Sequence, residues 1–374
     1  MSAGTMTVEE FAIRMVRMPL VHPFRTSFGE ETERETVIVS ATSQGRTGFG
    51  EAPVARLPGY AYETSGTAFH VLRDLLAPRV ANRPLDGPRA LPGLFEGLKG
   101  HPMARAGLEA ALWDLSARLE GVSLAAHCGG RRKEIDVGVS IGIQPDRKAL
   151  LARIEEFLEQ GYRRVKIKIR PGWDVEIASE VRRVFPELRL WADANQAYRR
   201  EDLDRMKGID AAGLELLEQP LHESDLLGHA RWAEALETPL CLDESVKDPY
   251  QLENALDLKA LQVLNIKPPR VGGMLASFEM ESRCAEAGIP VWCGGLLETG
   301  IGRLHNVVAA SREGFALPGD ISASGRYFAR DVIVPPVTLT ERGTLEVPRG
   351  VGLGHDVDID YLDAVTVRKA AVTG

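Results

Sequence analysis

Five charged residues recur at an almost constant spacing, which limits the folds that the chain can adopt. They follow one another at intervals of 25, 25, 25 and 24 residues, each at the end of a strand-like segment: Lys168, Asp193, Glu218, Asp243 and Lys267. A barrel of eight strand-helix units and about 200–250 residues allots roughly 25–31 residues to each unit. A single aspartate after a strand is usually a turn former or a helix cap. Five residues in phase instead predict one charged side chain per strand, gathered at one mouth of a barrel.

Short strand-like segments alternate with helical ones over the central part of the chain. Seven segments are rich in β-branched and aromatic residues: 135–139, 164–168, 188–192, 214–217, 239–242, 262–266 and 289–293. Helical patterns at 148–160, 175–185 and 275–287 lie between them. This alternation predicts parallel strands, either in a closed barrel or in a doubly wound open sheet. An eighth strand near 314–317 would close the barrel.

The regions on either side of this alternation have a different pattern. Strand-like segments at 12–16 and 36–40 precede a helical pattern at 104–119, which is the order expected of an α+β domain. A chain of 374 residues also exceeds the size at which one core keeps growing. We therefore predict an α/β fold, a modified TIM barrel at 131–325, with an amino-terminal α+β capping domain at 1–130 and a carboxyl-terminal segment at 326–374 that packs back on the cap.

Charge and cysteine content narrow the classes of partner. The formal net charge of −8 opposes nonspecific attraction to nucleic acid or anionic lipid. The four cysteines form no CxxC pair, which argues against a zinc site and a disulfide framework. The amino terminus has no basic stretch followed by an apolar run, and no apolar run is long enough to span a membrane. We expect a cytoplasmic protein that binds a small molecule, not nucleic acid or a membrane.

Three of the phased residues are carboxylates. Asp193, Glu218 and Asp243 supply oxygen ligands with no cysteine or histidine nearby, a set that suits a hard cation with open positions for substrate. A cation would also relieve the repulsion among the three charges. Mg²⁺ is the natural candidate, and Mn²⁺ or Co²⁺ would suit the same ligands. The alternative is that lysines alone balance the carboxylates.

Three lysines complete the predicted site. Lys166 and Lys168 alternate with apolar residues, so they share one face of their strand. The outer face of a barrel is covered by helices, so both should point inward, whereas an open, half-exposed strand would leave them in solvent. Lys267 follows four strands later and should approach from the opposite side. Lysines on both sides of a bound metal ion suit removal of a proton next to a carboxylate, with Lys168 and Lys267 as acid/base groups and Lys166 as an electrostatic helper.

Two polar residues lie just beyond the carboxylates in sequence. Asn195 follows Asp193 by two positions, and Glu244 follows Asp243 directly. Groups next to metal ligands commonly orient them by hydrogen bonds, although a loop Asn or Glu is also often only solvated. We predict that both residues orient the site.

The motifs together resemble the enolase superfamily, specifically its muconate-lactonising subgroup, and within it the o-succinylbenzoate synthases that also act as N-acylamino acid racemases. The resemblance covers essentially the whole chain and is carried by the following stretches: Val-Lys-Ile-Lys at 165–168, Ala-Asp-Ala-Asn at 192–195, Glu-Gln-Pro at 218–220, Leu-Asp-Glu-Ser at 242–245, Asn-Ile-Lys at 265–267, Gly-Gly-Leu-Leu-Glu-Thr-Gly at 294–300 and the tail at 348–354. It implies a cap over a modified barrel, a divalent metal on the three carboxylates and acid/base chemistry at Lys168 and Lys267.

The resemblance also implies a set of reactions. One is racemisation of N-acylamino acids such as N-succinylamino acids, and the other is the dehydration that forms o-succinylbenzoate in menaquinone biosynthesis. Dipeptide epimerases carry Asp-x-Asp after the eighth strand to hold a substrate amine, where this chain has Asp320-Ile321-Ser322, so an acylated amine fits better. Dipeptide epimerisation and muconate cycloisomerisation remain alternatives, as does a catalytically silent ligand-binding barrel.

The substrate pocket is implied by the same resemblance. Cap and barrel residues are expected to enclose the acyl or succinyl portion: Phe24, Phe28, Tyr60, Ser140, Gly294 and Leu296. The two phenylalanines could equally belong to the core of the cap. Members of the family often form homo-oligomers, including octamers, so we expect a homo-oligomer.

Overall fold

The amino-terminal part of the chain is an antiparallel sheet covered by helices. The computed structural model describes residues 5–26 and 29–373. The cap contains strands β1 (Glu10–Thr26), β2 (Gly29–Ser43) and β3 (Arg46–Ala52), with helices α1 (Ser65–Val71) and α2 (Pro102–Glu120). Strands β2 and β3 meet at a tight turn in which Gln44 and Gly45 both have positive φ, of 49° and 68°. A two-residue turn of this kind matches the twist of the two strands.

Seven parallel strands form the barrel, each beside its neighbour in sequence order. They are β4 (Val139–Ile141), β5 (Arg164–Lys168), β6 (Arg189–Asp193), β7 (Leu216–Glu218), β8 (Leu240–Leu242), β9 (Val263–Ile266) and β10 (Val291–Cys293). The longer helices between and after them are α3 (Arg147–Glu159), α4 (Val175–Val184), α5 (Leu226–Ala235), α6 (Pro249–Asp257), α7 (Met274–Glu286) and α8 (Gly300–Ala310). The predicted strand-helix alternation is confirmed.

The ends of this sheet differ from the sequence prediction in two places. The first predicted strand is divided, because Glu134–Asp136 pairs outside the barrel with Thr344–Glu346 and only β4 joins the parallel sheet. The predicted eighth strand at 314–317 does not form as such. Instead, residues 317–320 close the barrel through backbone hydrogen bonds to β10 on one side and to residues 136 and 138 on the other, at 2.8–3.2 Å. This closing segment is irregular because Pro318 and Gly319 interrupt any continuous strand ladder.

The carboxyl-terminal residues return to the cap. Helix α9 (Ile359–Ala364) precedes strand β11 (Thr366–Thr373), which pairs antiparallel with β1 and completes a four-stranded sheet. The division into 1–130, 131–325 and 326–374 stays a prediction.

Shorter elements connect these parts. The short strands are Met6–Thr7, Pro84–Leu85, Ile333–Val334 and Asp356–Val357. The short α-helices are Ala77–Val80, Leu91–Leu94, Leu124–His127, Leu203–Met206 and Pro268–Val271. Leu72–Leu76 is a π-helical turn, and 3₁₀ turns lie at Pro88–Ala90, Arg200–Asp202, Lys207–Ala212 and Ser324–Arg326. Within residues 5–26 and 29–373, no helix combines the length and apolar character needed to cross a bilayer.

The interior of the barrel is filled below its mouth by large side chains. Trp191 and Trp292 are fully buried, and their rings meet edge to face with centroids 5.1 Å apart. The ammonium of Lys166 lies 4.6 Å from the centre of the Trp292 ring, a cation–π contact. The two tryptophans thus form a floor under the charged residues.

Two buried glutamates of the cap bind the amino termini of barrel helices. Glu51 accepts hydrogen bonds from the Thr299 hydroxyl at 2.6 Å and from the Gly302 amide at 3.0 Å, at the start of α8. Glu109 accepts from the Leu275 amide at 2.9 Å, at the start of α7. Helix amino termini carry unsatisfied N–H groups and a partial positive charge, so these carboxylates dock the cap on the barrel.

We predict that Gly50→Ala destabilises the cap. A β-carbon on Gly50 would lie 2.3 Å from the carbonyl oxygen of Gly107 and 2.4 Å from the amide nitrogen of Ala111 in α2, so the helix must move away from the sheet. Overpacking of this kind costs about 2 kcal/mol or more, which thermal unfolding followed by circular dichroism would detect as a lower Tm. The control is Gly66→Ala in α1, where the nearest atom is 3.8 Å away. Equal melting of both variants would contradict the close contact.

A second prediction concerns pH. Burial raises the pKa of Glu109 from 4.5 to about 7, so the folded state holds this proton more tightly than the unfolded state. The resulting stabilisation is complete below pH 4.5 and is lost as the pH rises through 7, a change of about 3 kcal/mol. The variant Glu109→Gln has no such titration. Between pH 5 and pH 8 the free energy of unfolding of the native chain should therefore fall by about 1–3 kcal/mol relative to that of the variant, as measured by denaturant titrations. A parallel pH response in the two proteins would refute this, and Glu279→Gln, at an exposed position, is the control.

Candidate active site

The phased charged residues meet at the carboxyl ends of the barrel strands. Lys168, Asp193 and Glu218 are the last residues of β5, β6 and β7, and the strand register places Lys168 beside Asp193 and Asp193 beside Glu218. Asp243 directly follows β8, and Lys267 directly follows β9. The structure therefore brings all five to one mouth, because parallel strands in register end at the same edge.

Each carboxylate is in contact with a lysine. Lys168 Nζ lies 2.6 Å from Asp193 Oδ2, and Lys267 Nζ lies 2.8 Å from Asp243 Oδ2. Lys166 Nζ lies 2.5 Å from Glu218 Oε2 and 3.3 Å from Asp193 Oδ2. Lys166 is 2% exposed and Lys267 is 7% exposed, and the side chain of Lys168 is 11% exposed. All three line one cavity, so both lysines of β5 and the lysine after β9 point into the barrel.

The charges of the mouth are only partly balanced. Burial raises the pKa of Glu218 to about 8, helped by the negative charge of Asp193 and despite the ammonium of Lys166. Burial also opposes ionisation of Asp193, but the charges of Lys168 and Lys166 hold the pKa of that carboxyl well below its ordinary value. The pKa of Lys267 lies above its usual range, because the attraction of Asp243 outweighs the effect of burial. One carboxyl of the three thus remains hard to ionise without a further cation.

The donor set fits a divalent metal ion. Among residues 5–26 and 29–373, no group of three carboxylate, imidazole or thiol side chains is arranged as a ready metal site, because the three carboxylates are turned toward lysines. The buried oxygens Glu244 Oε2 and Asn265 Oδ1 nevertheless lack a hydrogen-bond donor, and Glu218 is repelled by Asp193 and Asp243. A surplus of buried oxygen acceptors is what a hard cation satisfies, and Asp193, Glu218 and Asp243 are the residues that would hold it.

Asn195 and Glu244 form a chain of hydrogen bonds that begins at Lys168. Asn195 Oδ1 accepts a hydrogen bond from Lys168 Nζ at 2.5 Å, and Asn195 Nδ2 donates to Glu244 Oε1 at 3.2 Å. The backbone amide of Asn195 also donates to Asp193 Oδ1 at 2.9 Å. The two residues lie where they would fix the position of the Lys168 ammonium, and the orienting role given to them in the sequence analysis stays a prediction.

The mouth opens into a cavity of about 310 Å³ between the cap and the barrel. Its wall includes four residues that were expected to enclose the substrate: Phe24, Tyr60, Ser140 and Leu296. Gly294 lies behind the wall, where an added β-carbon would be 2.6 Å from Lys267 Cε, so its lack of a side chain makes room for that lysine. Phe28 lies outside the described residues.

Tyr60 also reaches the charged residues directly. Its hydroxyl donates to Asp243 Oδ1 at 2.8 Å and accepts from Lys267 Nζ at 3.1 Å. Burial, together with the charge of Asp243, raises the pKa of Tyr60, so the phenol stays protonated. A residue of the cap is therefore part of the mouth, beyond the enclosing role predicted for it.

Two charged residues of the mouth were missed by sequence reasoning. Arg270 donates a hydrogen bond to Asp243 Oδ1, and the short helix that begins at Pro268 turns it back toward the barrel. Asp320 lies 2.7 Å from Lys166 and 2.5 Å from Arg164. In the sequence analysis Asp320 was placed after the eighth strand but was not assigned to the charged mouth, and Arg270 carried no comparable signal.

The fold and the mouth together define a class: capped barrel enzymes with a carboxylate and lysine site at the carboxyl ends of the strands. The chain belongs to the mandelate racemase / muconate lactonizing enzyme family of the enolase superfamily. Residues 9–129 match the model of the amino-terminal domain of that family, and residues 149–361 match the enolase C-terminal domain-like model. Enzymes of this superfamily generally use a divalent metal ion. The fold class and the family resemblance inferred from the sequence are confirmed.

Three similar proteins illustrate the match. The chain is 45% identical over 360 residues to an o-succinylbenzoate synthase of Geobacillus kaustophilus, with 96% of each chain covered. It is 41% identical over 362 residues to an N-succinylamino acid racemase of Thermus thermophilus, covering 97% of this chain and 98% of the relative. A solved enolase-superfamily member from Listeria innocua superposes with a TM-score of 0.95 at 38% identity, covering 98% of this chain and 99% of the other.

We predict that Mg²⁺ raises the Tm of the purified chain and that Asp243→Asn removes this effect. A ligand that binds only the folded state stabilises it by about 2.7 kcal/mol at 100 times its Kd, and Asn supplies one neutral oxygen in place of a carboxylate. The matched control is Glu215→Gln, immediately before the amino-terminal end of β7 and away from the mouth. Differential scanning fluorimetry over a Mg²⁺ series measures the shift. An equal shift in native chain and Asp243→Asn would exclude this metal site.

Proposed function

We propose that the chain catalyses metal-dependent removal of the proton next to a carboxylate, acting as an N-succinylamino acid racemase, an o-succinylbenzoate synthase, or both. The single observation that carries the proposal is the position of Lys168 and Lys267. They lie at the ends of strands four places apart in the barrel, each in contact with a carboxylate. Two lysines on opposite sides of one cavity can reach both faces of a planar intermediate.

The lysines supply the proton transfers. In racemisation, the neutral amine of one lysine removes the α-proton of the substrate, and the ammonium of the other delivers a proton to the opposite face. In dehydration, Lys168 removes the proton and returns it to the departing hydroxyl, which leaves as water, while Lys267 stays cationic beside the intermediate. A bound divalent ion would neutralise the negative charge that develops on the substrate carboxylate.

The remaining residues hold these groups in place. Lys166 is fixed by Glu218 and Asp320 and adds positive charge beneath the site. Asn195 orients the ammonium of Lys168, and Tyr60 contacts that of Lys267. The cap forms part of the cavity wall beside them, and the lower exposure to water strengthens each electrostatic contact.

The state of Asp320 supports an acylated amine over a free one. This carboxylate lies at the eighth strand position, where it could receive a substrate ammonium, but it is already bound by Lys166 and Arg164. A free ammonium would have to displace one of two buried cations, whereas a neutral amide would not. The names of the relatives, o-succinylbenzoate synthase and N-succinylamino acid racemase, support the same substrates.

The proposal also covers the metal ion, the cellular location and the oligomeric state. We propose Mg²⁺ as the ion, with Mn²⁺ or Co²⁺ able to replace it at the same oxygen ligands. We also propose a cytoplasmic location and a homo-oligomeric state.

The test is proton NMR in deuterium oxide with Mg²⁺ and the two enantiomers of N-succinyl-phenylalanine. The native chain should exchange the α-proton of both enantiomers and racemise them. Each of the variants Lys168→Ala and Lys267→Ala should lose racemisation. Each should retain α-proton exchange with at most one enantiomer, because each lysine serves one face of the substrate. The enantiomer that still exchanges should differ between the two variants. Lys247→Ala, outside this cavity, is the control and should retain both activities.

A second arm separates the two reactions. Lys267→Arg keeps the positive charge but is a poor proton donor, so it should lose racemisation and retain part of o-succinylbenzoate formation. Absence of exchange with any divalent metal, together with absence of o-succinylbenzoate formation, would refute the proposal and favour a dipeptide epimerase, a muconate cycloisomerase or a silent binding barrel.

A further inference from the structure

The cavity contains a buried arginine that the reaction does not use. Arg34 lies on β2 of the cap, is 5% exposed and lines the cavity together with the lysines of the mouth. Lys166, Lys168 and Lys267 are each bound to a carboxylate that would hold the metal ion. Among the described cationic residues of the cavity wall, Arg34 alone is separate from that cluster.

The hydrogen bonds of Arg34 fix its position and leave donors unused. Nη2 donates to the carbonyl oxygens of Pro53 at 2.6 Å and Leu296 at 2.8 Å, and Nη1 donates to Glu31 Oε2 at 3.2 Å. A guanidinium has five N–H donors, and within residues 5–26 and 29–373 these three acceptors leave two of them, Nε–H and one Nη1–H. Nε is buried and has no hydrogen-bond partner in the described part of the chain, and a buried donor without an acceptor is costly.

The charge of Arg34 is also weakly compensated. Its ion pair is with Glu31, whose side chain is 39% exposed, and exposed partners contribute little because water screens them. Three other carboxylates of the same wall are bound elsewhere: Glu63 by the backbone amides of Met103 and Ala104, Asp193 by Lys168, and Asp320 by two cations. Glu30 also lines the wall and has an interaction of its own. A buried, immobilised guanidinium whose Nε–H and one Nη1–H have no acceptor among the described residues can donate a charged hydrogen bond to an anion such as a carboxylate.

Arg34 lies close enough to Lys267 for one substrate to contact both residues. It binds the backbone of Leu296, two residues after Gly294, which abuts Lys267. Since consecutive Cα atoms are about 3.8 Å apart, the Cα atoms of these two residues are separated by at most about 7.6 Å. A substrate that presents one carboxylate to the mouth could therefore extend a short acyl chain across the cavity to Arg34.

We propose that Arg34 binds the terminal carboxylate of a dicarboxylic acyl group, so that the cavity selects succinyl-type substrates over neutral acyl groups. The inference rests on the function proposed above and adds the residue that recognises the end of the acyl group. Both candidate substrates carry a succinyl group, so one arginine would serve both reactions. Glu31 accepts a hydrogen bond from Nη1, so the substrate carboxylate would share Nη1 with Glu31 or replace it there.

The test compares two substrates that differ only in charge at the acyl end. N-succinyl-L-phenylalanine has a terminal carboxylate, and N-succinamoyl-L-phenylalanine has a terminal amide of the same shape. The ratio of their kcat/KM values for α-proton exchange is measured for the native chain, Arg34→Met, Arg34→Gln and Arg34→Lys. Arg14→Met is the matched control, because Arg14 is a buried cap arginine that is not part of the cavity wall.

The native chain should prefer the carboxylate by at least about tenfold, as expected for a charged hydrogen bond. Arg34→Met and Arg34→Gln should lose at least about tenfold with the carboxylate and less than about threefold with the amide. Arg34→Lys should be intermediate, and Arg14→Met should keep the native ratio. An equal loss with both substrates, or a native chain without preference, would overturn the proposal and leave Arg34 a structural link between cap and barrel.

Binding provides a readout that does not depend on turnover. If the native chain exchanges no α-proton, the proposed function fails, and calorimetric titration of both compounds into native chain and Arg34→Gln then tests Arg34 by itself. Tighter binding of the carboxylate that is lost in the variant would support the anion site. Equal binding of the two compounds would overturn it. If Arg34→Met does not fold, the comparison is made with Arg34→Gln and Arg34→Lys.

Discussion

The structure depends on placing three carboxylates in a buried barrel mouth without leaving them uncompensated. Asp193, Glu218 and Asp243 come from three successive strand ends, and a lysine contacts each of them. The balance is incomplete, since the pKa of Glu218 stays near 8. This residual imbalance is the physical reason why the site suits a divalent cation, and the same cation would neutralise the charge that forms on a substrate carboxylate. Stability and catalysis therefore draw on the same interactions.

The cap takes part in this arrangement. Glu51 and Glu109 bind the amino termini of two barrel helices, which holds the cap in one position over the mouth. That position lets Tyr60 contact both Asp243 and Lys267 and lets Arg34 reach the backbone of Leu296. In the proposed reaction the barrel would provide the groups that move protons, and the cap provides much of the cavity wall that would surround the rest of the substrate. On the proposed function, the choice of acyl group would therefore depend on the cap and the chemistry on the strand ends.

Much of the barrel could be predicted because its signals are local and periodic. The 25-residue spacing located five residues of the mouth, and the Val-Lys-Ile-Lys pattern placed two lysines on one face of β5. The eighth strand was placed three residues too early and as a regular strand, because barrel closure at 317–320 uses backbone hydrogen bonds from an irregular segment. Asp320 was placed after the eighth strand, but its contacts with Lys166 and Arg164 in the mouth were not predicted. Arg270 was missed because it lies one helical turn beyond the strand end.

The sequence by itself determined the order of the strands, the side chains at their carboxyl ends and the family, since each follows from residue type and spacing along the chain. The tertiary structure decided which charges touch, how deeply they are buried and which cap residues face the cavity. Those properties arise between segments that are far apart in sequence: Tyr60 and Asp243 are separated by 183 positions, and Arg34 and Leu296 by 262. Only the packing of the cap on the barrel brings such residues within hydrogen-bond distance, and no local pattern records that packing.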